Sequence, residues 1–241
     1  MDEQPTPQQR PPQPNVPDAQ PKPAHTGKTI RPHGWQFSPV ACLAREVTAR
    51  IVGPFLAYYL RGPTVIGAEH LAELEPPSII CPTHASHFDF SAMRLALGPR
   101  HRRRLSAAAA ADYFTASRKR WFFAAWLGSF AFKRTGQGDD SFATAAGLLD
   151  AGWNVLIFPE GTRSMTGQVA PFRPGAGLLA VRTGCQVLPV RIVGIAAVLP
   201  KGTGRPHRAQ VEVRFGAPMR ALPGEHAREF TARLEAAVRE L

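Results

Sequence analysis

Residues 154–164 read Asn-Val-Leu-Ile-Phe-Pro-Glu-Gly-Thr-Arg-Ser. In the run Asn154 to Phe158 the four residues from Val155 on are apolar, and Pro159 ends it, which makes it the clearest buried strand of the chain. A strand apolar on both faces belongs to a sheet covered by helices on both sides, as parallel sheets are. The residues after it carry chemistry. Gly161 lets the backbone turn sharply, Glu160 offers a carboxylate to a polyol, and Arg163 offers a planar fork suited to phosphate. A plain strand-to-loop turn with a surface arginine would use the same residues.

Working outward, helical and strand patterns alternate. Ser141 to Ala151 reads as a helix closed by Gly152, and Gly175 to Thr183 as a helix closed by Gly184. Phe172-Arg173-Pro174-Gly175 is a basic turn into that second helix, so Arg173 is a candidate anion contact. Val187 to Gly194 and Val211 to Phe215 are strands, and Pro189 inside the first implies an edge, a bulge or a pocket wall. Upstream, Thr64 to Gly67, Ser78 to Cys81 and Ser129 to Arg134 are strand candidates. Leu105 to Ala111 fits a strand by position and a helix by alanine content. Asp89 to Leu97, Asp112 to Leu127 and Glu225 to Leu241 read as helices. Pro39 to Leu60 is helical in pattern, with Pro54 bending or breaking it.

This alternation predicts an α/β fold: a single domain with a mixed, largely parallel central sheet flanked by helices. Residues 1–29 are rich in Pro and Gln and form an expected disordered tail, since they bury too little to offset chain entropy. Residues 30–62 are an expected amphipathic helical segment, and 63–241 the folded domain.

A second chemical cluster, Thr83-His84-Ala85-Ser86-His87-Phe88-Asp89, follows the predicted strand Ser78 to Cys81. It therefore sits where α/β proteins place ligands, beyond a strand's carboxyl end. His84 and Asp89 can meet across a tight turn into a helix. The carboxylate would fix the imidazole tautomer and stabilise the imidazolium formed on proton abstraction. Asp89 as a simple helix cap is the plain alternative. His84, His87 and Asp89 as metal ligands is a rival reading. No second acidic or histidine cluster supports it, so no metal is expected.

The chain has 241 residues and a formal net charge of +11, with 44% hydrophobic residues. Wholesale disorder is excluded, and an anionic partner is implied. Three distant cysteines, Cys42, Cys81 and Cys185, exclude a disulfide-built module. The basic charge is local. Arg94 to Arg134 holds ten Lys or Arg and one acid, a net +9, around the aromatic stretch Trp121 to Phe132. A solvated basic face is one reading; a docking surface for anionic lipid beside the two chemical clusters is the sharper one. No nucleic-acid-binding motif is present, so no nucleic-acid partner is expected. No apolar run reaches the roughly 20 residues of a spanning helix. Ile51 to Leu60 and Trp121 to Phe132 are flanked by basic residues and suit a membrane surface.

Taken together, His84 with four residues before Asp89, then Phe-Pro-Glu-Gly-Thr-Arg-Ser, then Val-Leu-Pro-Val resembles the glycerolipid acyltransferase family. Its best-known members are the lysophosphatidic acid acyltransferases. The resemblance runs from about Val65 to Phe215 in the family's motif order. It implies acyl transfer to the free hydroxyl of 1-acyl-sn-glycerol 3-phosphate, giving phosphatidic acid. His84 would be the general base and Asp89 its orienter. The acyl donor would be a thioester, acyl-CoA or acyl carrier protein, acting as co-substrate with no bound cofactor. Arg163 and Arg134 would grip the acceptor phosphate, Glu160, Gly161 and Thr162 would shape the glycerol site, and Pro189 would help wall a pocket. Another lysolipid or glycerol 3-phosphate is an alternative acceptor. A non-catalytic membrane lipid-binding protein is the alternative of another class. The expected place is peripheral, on the cytoplasmic face of the cell membrane. The chain departs from the usual motif at Thr83, where relatives carry Asn.

Overall fold

The computed structural model describes residues 34–110, 128–132, 139–164, 168–199 and 205–241. The expected tail, the helix Asp112 to Leu127, most of the aromatic stretch and Arg134 lie outside them.

A 3-10 turn at Trp35–Phe37 leads into helix α1, Pro39–Tyr59. The Ser38 side chain caps it by accepting from the Ala41 N–H, and Pro39 takes an early position where no N–H is needed. Pro54 lies inside α1, yet the helix runs through it. Packing on both sides offsets the lost backbone bond: Gly53 is buried against Leu95, and Leu60 joins the core.

Then follow β1 (Thr64–Ile66), α2 (His70–Glu73), β2 (Ser78–Pro82), α3 (Asp89–Ala96), α4 (Pro99–Arg102), β3 (Leu105–Ala110) and β4 (Phe130–Phe132). The second half contributes α5 (Asp139–Asp150), β5 (Asn154–Leu156), α6 (Gly175–Thr183), β6 (Gln186–Val193), β7 (Glu212–Phe215) and α7 (Ala227–Glu240). The strands form one sheet in the order β1-β7-β6-β2-β5-β3-β4. From β6 to β4 all neighbours are parallel; β7 runs antiparallel to β6, and β1 is parallel to β7. The mixed, largely parallel α/β architecture is as expected.

The order has a geometric consequence. From β2 the chain passes over β5 to reach β3; from β5 it passes over β2 to reach β6. Right-handed crossovers in opposite directions must use opposite faces. The core divides accordingly. Ile80 and Leu156 point to the face covered by α3, with Phe90, Ala92 and Met93. Ile79, Cys81, Val155 and Ile157 point to the face covered by α5, α6 and α7, with Leu149, Leu179 and Phe230. Leu105–Ala110 is a strand despite its alanines, because it is paired on both sides, to β5 and to β4.

Pro189 does not mark an edge, since β6 is flanked by β7 and β2. It marks the end of a ladder. Its carbonyl accepts from the Gly216 N–H at 2.9 Å, and the proline nitrogen has nothing to donate in return. Pairing resumes between Val187 and Met219, so Leu188 faces two residues, Ala217 and Pro218, as in a bulge.

The basic segment is divided as well. Arg94 and Arg102 turn inward and hold the buried Glu46 of α1 at 3.0 Å each. They tie α1 to α3 and α4 and are not part of a docking surface.

Helices α6 and α7 meet at Gly177, where an added Cβ would strike Thr231 Oγ1 and the Ala227 carbonyl oxygen. Backbone cannot yield as a flexible side chain can. Gly177→Ala is expected to cost about 1–3 kcal/mol of stability, read as a lower urea midpoint at unchanged slope.

Candidate active site

β2 and β5 are neighbours, joined through Ile80 and Leu156 and by the Ile157 N–H to the Ile80 carbonyl at 2.9 Å. Their carboxyl ends therefore bring the two sequence clusters together. The loop after β2 carries His84; the loop after β5 carries Glu160 to Ser164.

His84 is built first by its backbone. Its N–H donates to Glu160 Oε1 at 2.7 Å, and its carbonyl accepts from the Ser164 N–H at 2.7 Å. The Phe158 ring stacks on the imidazole, with centroids 4.0 Å apart and planes 21° apart. The preceding Thr83 pins the loop to β6: its hydroxyl accepts from the Ile192 N–H at 2.9 Å.

The imidazole is then oriented by Asp89. Nδ1 lies 2.7 Å from Asp89 Oδ2. An ionised carboxylate only accepts, so Nδ1 carries the proton and Nε2 is left as the basic nitrogen. The same Oδ2 accepts from the Ala85 N–H at 2.8 Å and the Ser86 N–H at 2.9 Å. Asp89 opens α3 but spends its carboxylate on the loop before it, and so is no simple cap. Its side chain is 1% exposed and that of His84 22%, so the orienter is shielded while the base is reachable. Among the described residues, no group of three or more His, Cys, Asp and Glu is placed to hold a metal.

Glu160 departs from its sequence reading. It is buried, and its two oxygens accept from the N–H groups of His84 and Ala170, at 2.7 and 3.1 Å. Burial pushes its carboxyl above the ordinary value, while these N–H donors pull the other way. It holds loops together instead of facing a polyol. Gly161 adopts φ +73°, and an added Cβ would come within 2.7 Å of Arg173 Nε. The Arg173 side chain thus lies along the Gly161 backbone, and its own N–H donates to the Pro159 carbonyl at 2.8 Å. Thr162 and Arg163 are exposed on the same loop. Pro189 is placed inside β6 opposite Cys81, three residues before His84 along the neighbouring strand. The stacking of Phe158, the tie from Thr83 to β6 and the bond from the Ala170 N–H are contacts the sequence reading did not assign. Only the position of Phe158 at a strand end could have signalled one of them.

The arrangement is a histidine whose Nδ1 is held by a buried carboxylate, on a loop bonded through Glu160 and Ser164 to the one that carries Arg163 and Arg173. The Acyltransferase family model matches residues 62–193, more than half of the chain and the whole of this site. The chain belongs to that family. It is 41% identical over 56 residues to a chloroplastic 1-acyl-sn-glycerol-3-phosphate acyltransferase of Brassica napus, covering 23% of this chain and 16% of that protein. It is 31% identical over 170 residues to the Mus musculus 1-acyl-sn-glycerol-3-phosphate acyltransferase alpha, covering 65% of this chain and 56% of that one. The matched part thus spans less than two thirds of either relative. The crystal structure of the 1-acyl-sn-glycerophosphate (LPA) acyltransferase from Thermotoga maritima shares the fold. Its TM-score is 0.63 at 21% identity, over 85% of this chain and 82% of that one.

The Glu160 clamp is testable apart from turnover. Glu160→Gln keeps the shape but sets an amide N–H₂ against a backbone N–H. It is expected to lower stability by about 1–3 kcal/mol in urea unfolding and to speed amide exchange at His84 or Ala170.

Proposed function

We propose that this protein transfers a fatty acyl group from a thioester donor to the free hydroxyl of 1-acyl-sn-glycerol 3-phosphate, giving phosphatidic acid. The observation that carries this reading is the His84–Asp89 bond at 2.7 Å, which leaves Nε2 basic, on a backbone that Ser164 of the Arg163 loop holds. The names of the relatives support the acceptor.

His84 Nε2 takes the acceptor's hydroxyl proton as its oxygen attacks the thioester carbonyl. Asp89 stabilises the imidazolium that forms. The tetrahedral adduct collapses by breaking the carbon–sulfur bond, and the thiolate recovers the proton from His84. The products are an ester and a free thiol, with no covalent enzyme intermediate. Arg163 and Arg173 supply cations for the acceptor phosphate, with Arg134 as a further grip. Thr162, exposed beside Arg163, faces the glycerol part. Acyl-CoA and acyl carrier protein both satisfy the chemistry as donor, and no bound cofactor is required by it.

We further propose that the reaction takes place at the cytoplasmic face of the cell membrane, with the protein bound peripherally. Among the described residues no helix is long and apolar enough to cross a membrane. Helix α1 instead exposes Val40, Leu43, Val47, Ile51, Phe55 and Tyr58, spaced by three or four residues along one face. Such a stripe, with Arg50 within its span and Arg61 past its end, suits the headgroup boundary.

Purified protein given acyl-CoA or acyl carrier protein thioester with lysophosphatidate should release free thiol only when the acceptor is present. His84→Ala and Asp89→Asn are expected to lower turnover about 100-fold or more. Unchanged turnover in His84→Ala would remove the base. Arg163→Ala should raise the acceptor KM more than it lowers kcat. For the membrane contact, Ile51→Ser with Phe55→Ser should weaken sedimentation with phosphatidylcholine and phosphatidylglycerol vesicles alike.

A further inference from the structure

A cavity lies at the edge of the sheet away from His84. Its volume is about 870 Å³, and Arg50, Arg103 and Arg104 line it together with Trp153, Cys42 and Leu43. Arg103 and Arg104 immediately precede β3, and Trp153 immediately precedes β5. These are the amino ends of the parallel strands, whereas His84 and Glu160 follow carboxyl ends. A five-residue strand such as β2 separates the two edges by about 15 Å.

The charge of this cavity is one-sided. The three arginines are exposed, and none has a carboxylate partner among the described residues. Glu46, the one acid in the lining, has both oxygens held by Arg94 and Arg102. The rest of the lining is largely apolar: Phe37 meets Trp153 edge to face, with centroids 5.1 Å apart. Three cations and an aromatic pair lining one cavity suit a phosphate joined to an apolar body.

Helix α1 supplies the connection. Its first turns, with Ser38, Pro39 and Cys42, border the cavity. Its last turn leads into Thr64, which pairs with Glu212 opposite Val193, at the carboxyl end of β6. The helix thus crosses from the amino edge of the sheet to the catalytic edge, about 31 Å at 1.5 Å per residue. Leu43 belongs to both features: it lines the cavity and is 65% exposed within the apolar stripe.

We propose that this cavity seats the phosphate headgroup of an anionic phospholipid of the bilayer, with the acyl chains lying along the Val40–Leu43 end of the α1 stripe. The site is separate from the acceptor site and is not consumed by the reaction. It builds on the peripheral membrane reading given above. The stripe supplies attachment to any bilayer; the arginines supply the preference for anionic lipid and hold the amino edge of the sheet to the surface. Part of the basic charge between residues 94 and 104 therefore faces lipid at the edge remote from the catalytic groove.

The test compares sedimentation of the full chain with phosphatidylcholine vesicles, with and without a quarter phosphatidylglycerol. Wild type should bind the anionic vesicles more tightly. Arg50→Ala/Arg103→Ala/Arg104→Ala should lose most of that increment, on the order of 100-fold in affinity, with neutral-vesicle binding unchanged. A matched loss of charge on the helical face, Arg182→Ala/Arg228→Ala/Arg239→Ala, should leave the increment in place. Turnover on detergent-dispersed acceptor should be the same in all three proteins. An equal loss in both triples would mean diffuse charge attraction and would overturn the site, as would a wild type indifferent to phosphatidylglycerol. Wild type binding neither vesicle would overturn the membrane reading together with the site. The binding measurements need no catalysis, so they stand whether or not the proposed reaction is observed.

Discussion

Glu160 and the backbone N–H of His84 meet at 2.7 Å in a buried setting, and the site depends on that bond. A carboxylate removed from water is costly unless its oxygens are occupied. Here one oxygen takes the His84 loop and the other takes Ala170, so the loops after β2 and β5 are held to one another. Ser164 closes the clamp from the other side through the His84 carbonyl. With its backbone held twice, His84 has one freedom left, the rotation of its ring. Asp89 removes that from one edge and Phe158 from one face. Each contact presupposes the previous one, which is why a proton acceptor and a cationic loop stand side by side.

The sheet order makes the clamp possible. Neighbouring strands β2 and β5 are 76 residues apart at their first members and are brought together only because β3 and β4 are laid down on the far side first. Their outgoing crossovers must use opposite faces, so α3 begins at Asp89 on one face and α6 follows Arg173 on the other. The two clusters then approach the carboxyl edge from opposite sides. Helix α1 is fastened across the first face by the Glu46 pairs with Arg94 and Arg102, which turns its other face, carrying Leu43 and Ile51, outward.

Much of this was legible locally. The β5 run and the Gly175–Thr183 helix with its left-handed Gly184 stop follow from short-range chemistry, and they appear where the residues placed them. The His84–Asp89 pair was legible because five residues span one tight turn. Other features depend on partners remote in the chain. Leu105–Ala110 is ambiguous by propensity, and only pairing with β4 and β5 makes it a strand. Pro54 looks like a break until Gly53 and Leu60 are seen packed. Arg94 and Arg102 look like surface charge until Glu46, about 50 residues upstream, reaches them. Glu160 looked like a polyol ligand because its type and neighbours do not reveal that two backbone donors occupy it.

The sequence by itself determined the alternation of strands and helices, the two chemical clusters at strand ends, and the short span that lets His84 meet Asp89. These rest on periodicity, turn chemistry and spacing, all of which act over a few residues, while the family was read from the resemblance of the motifs. Only the tertiary structure decided which clusters share an edge, which carboxylate is a clamp, and which arginines are buried, exposed or gathered around Trp153. Those outcomes follow from strand order and crossover face, and neither is written in any short stretch of the chain.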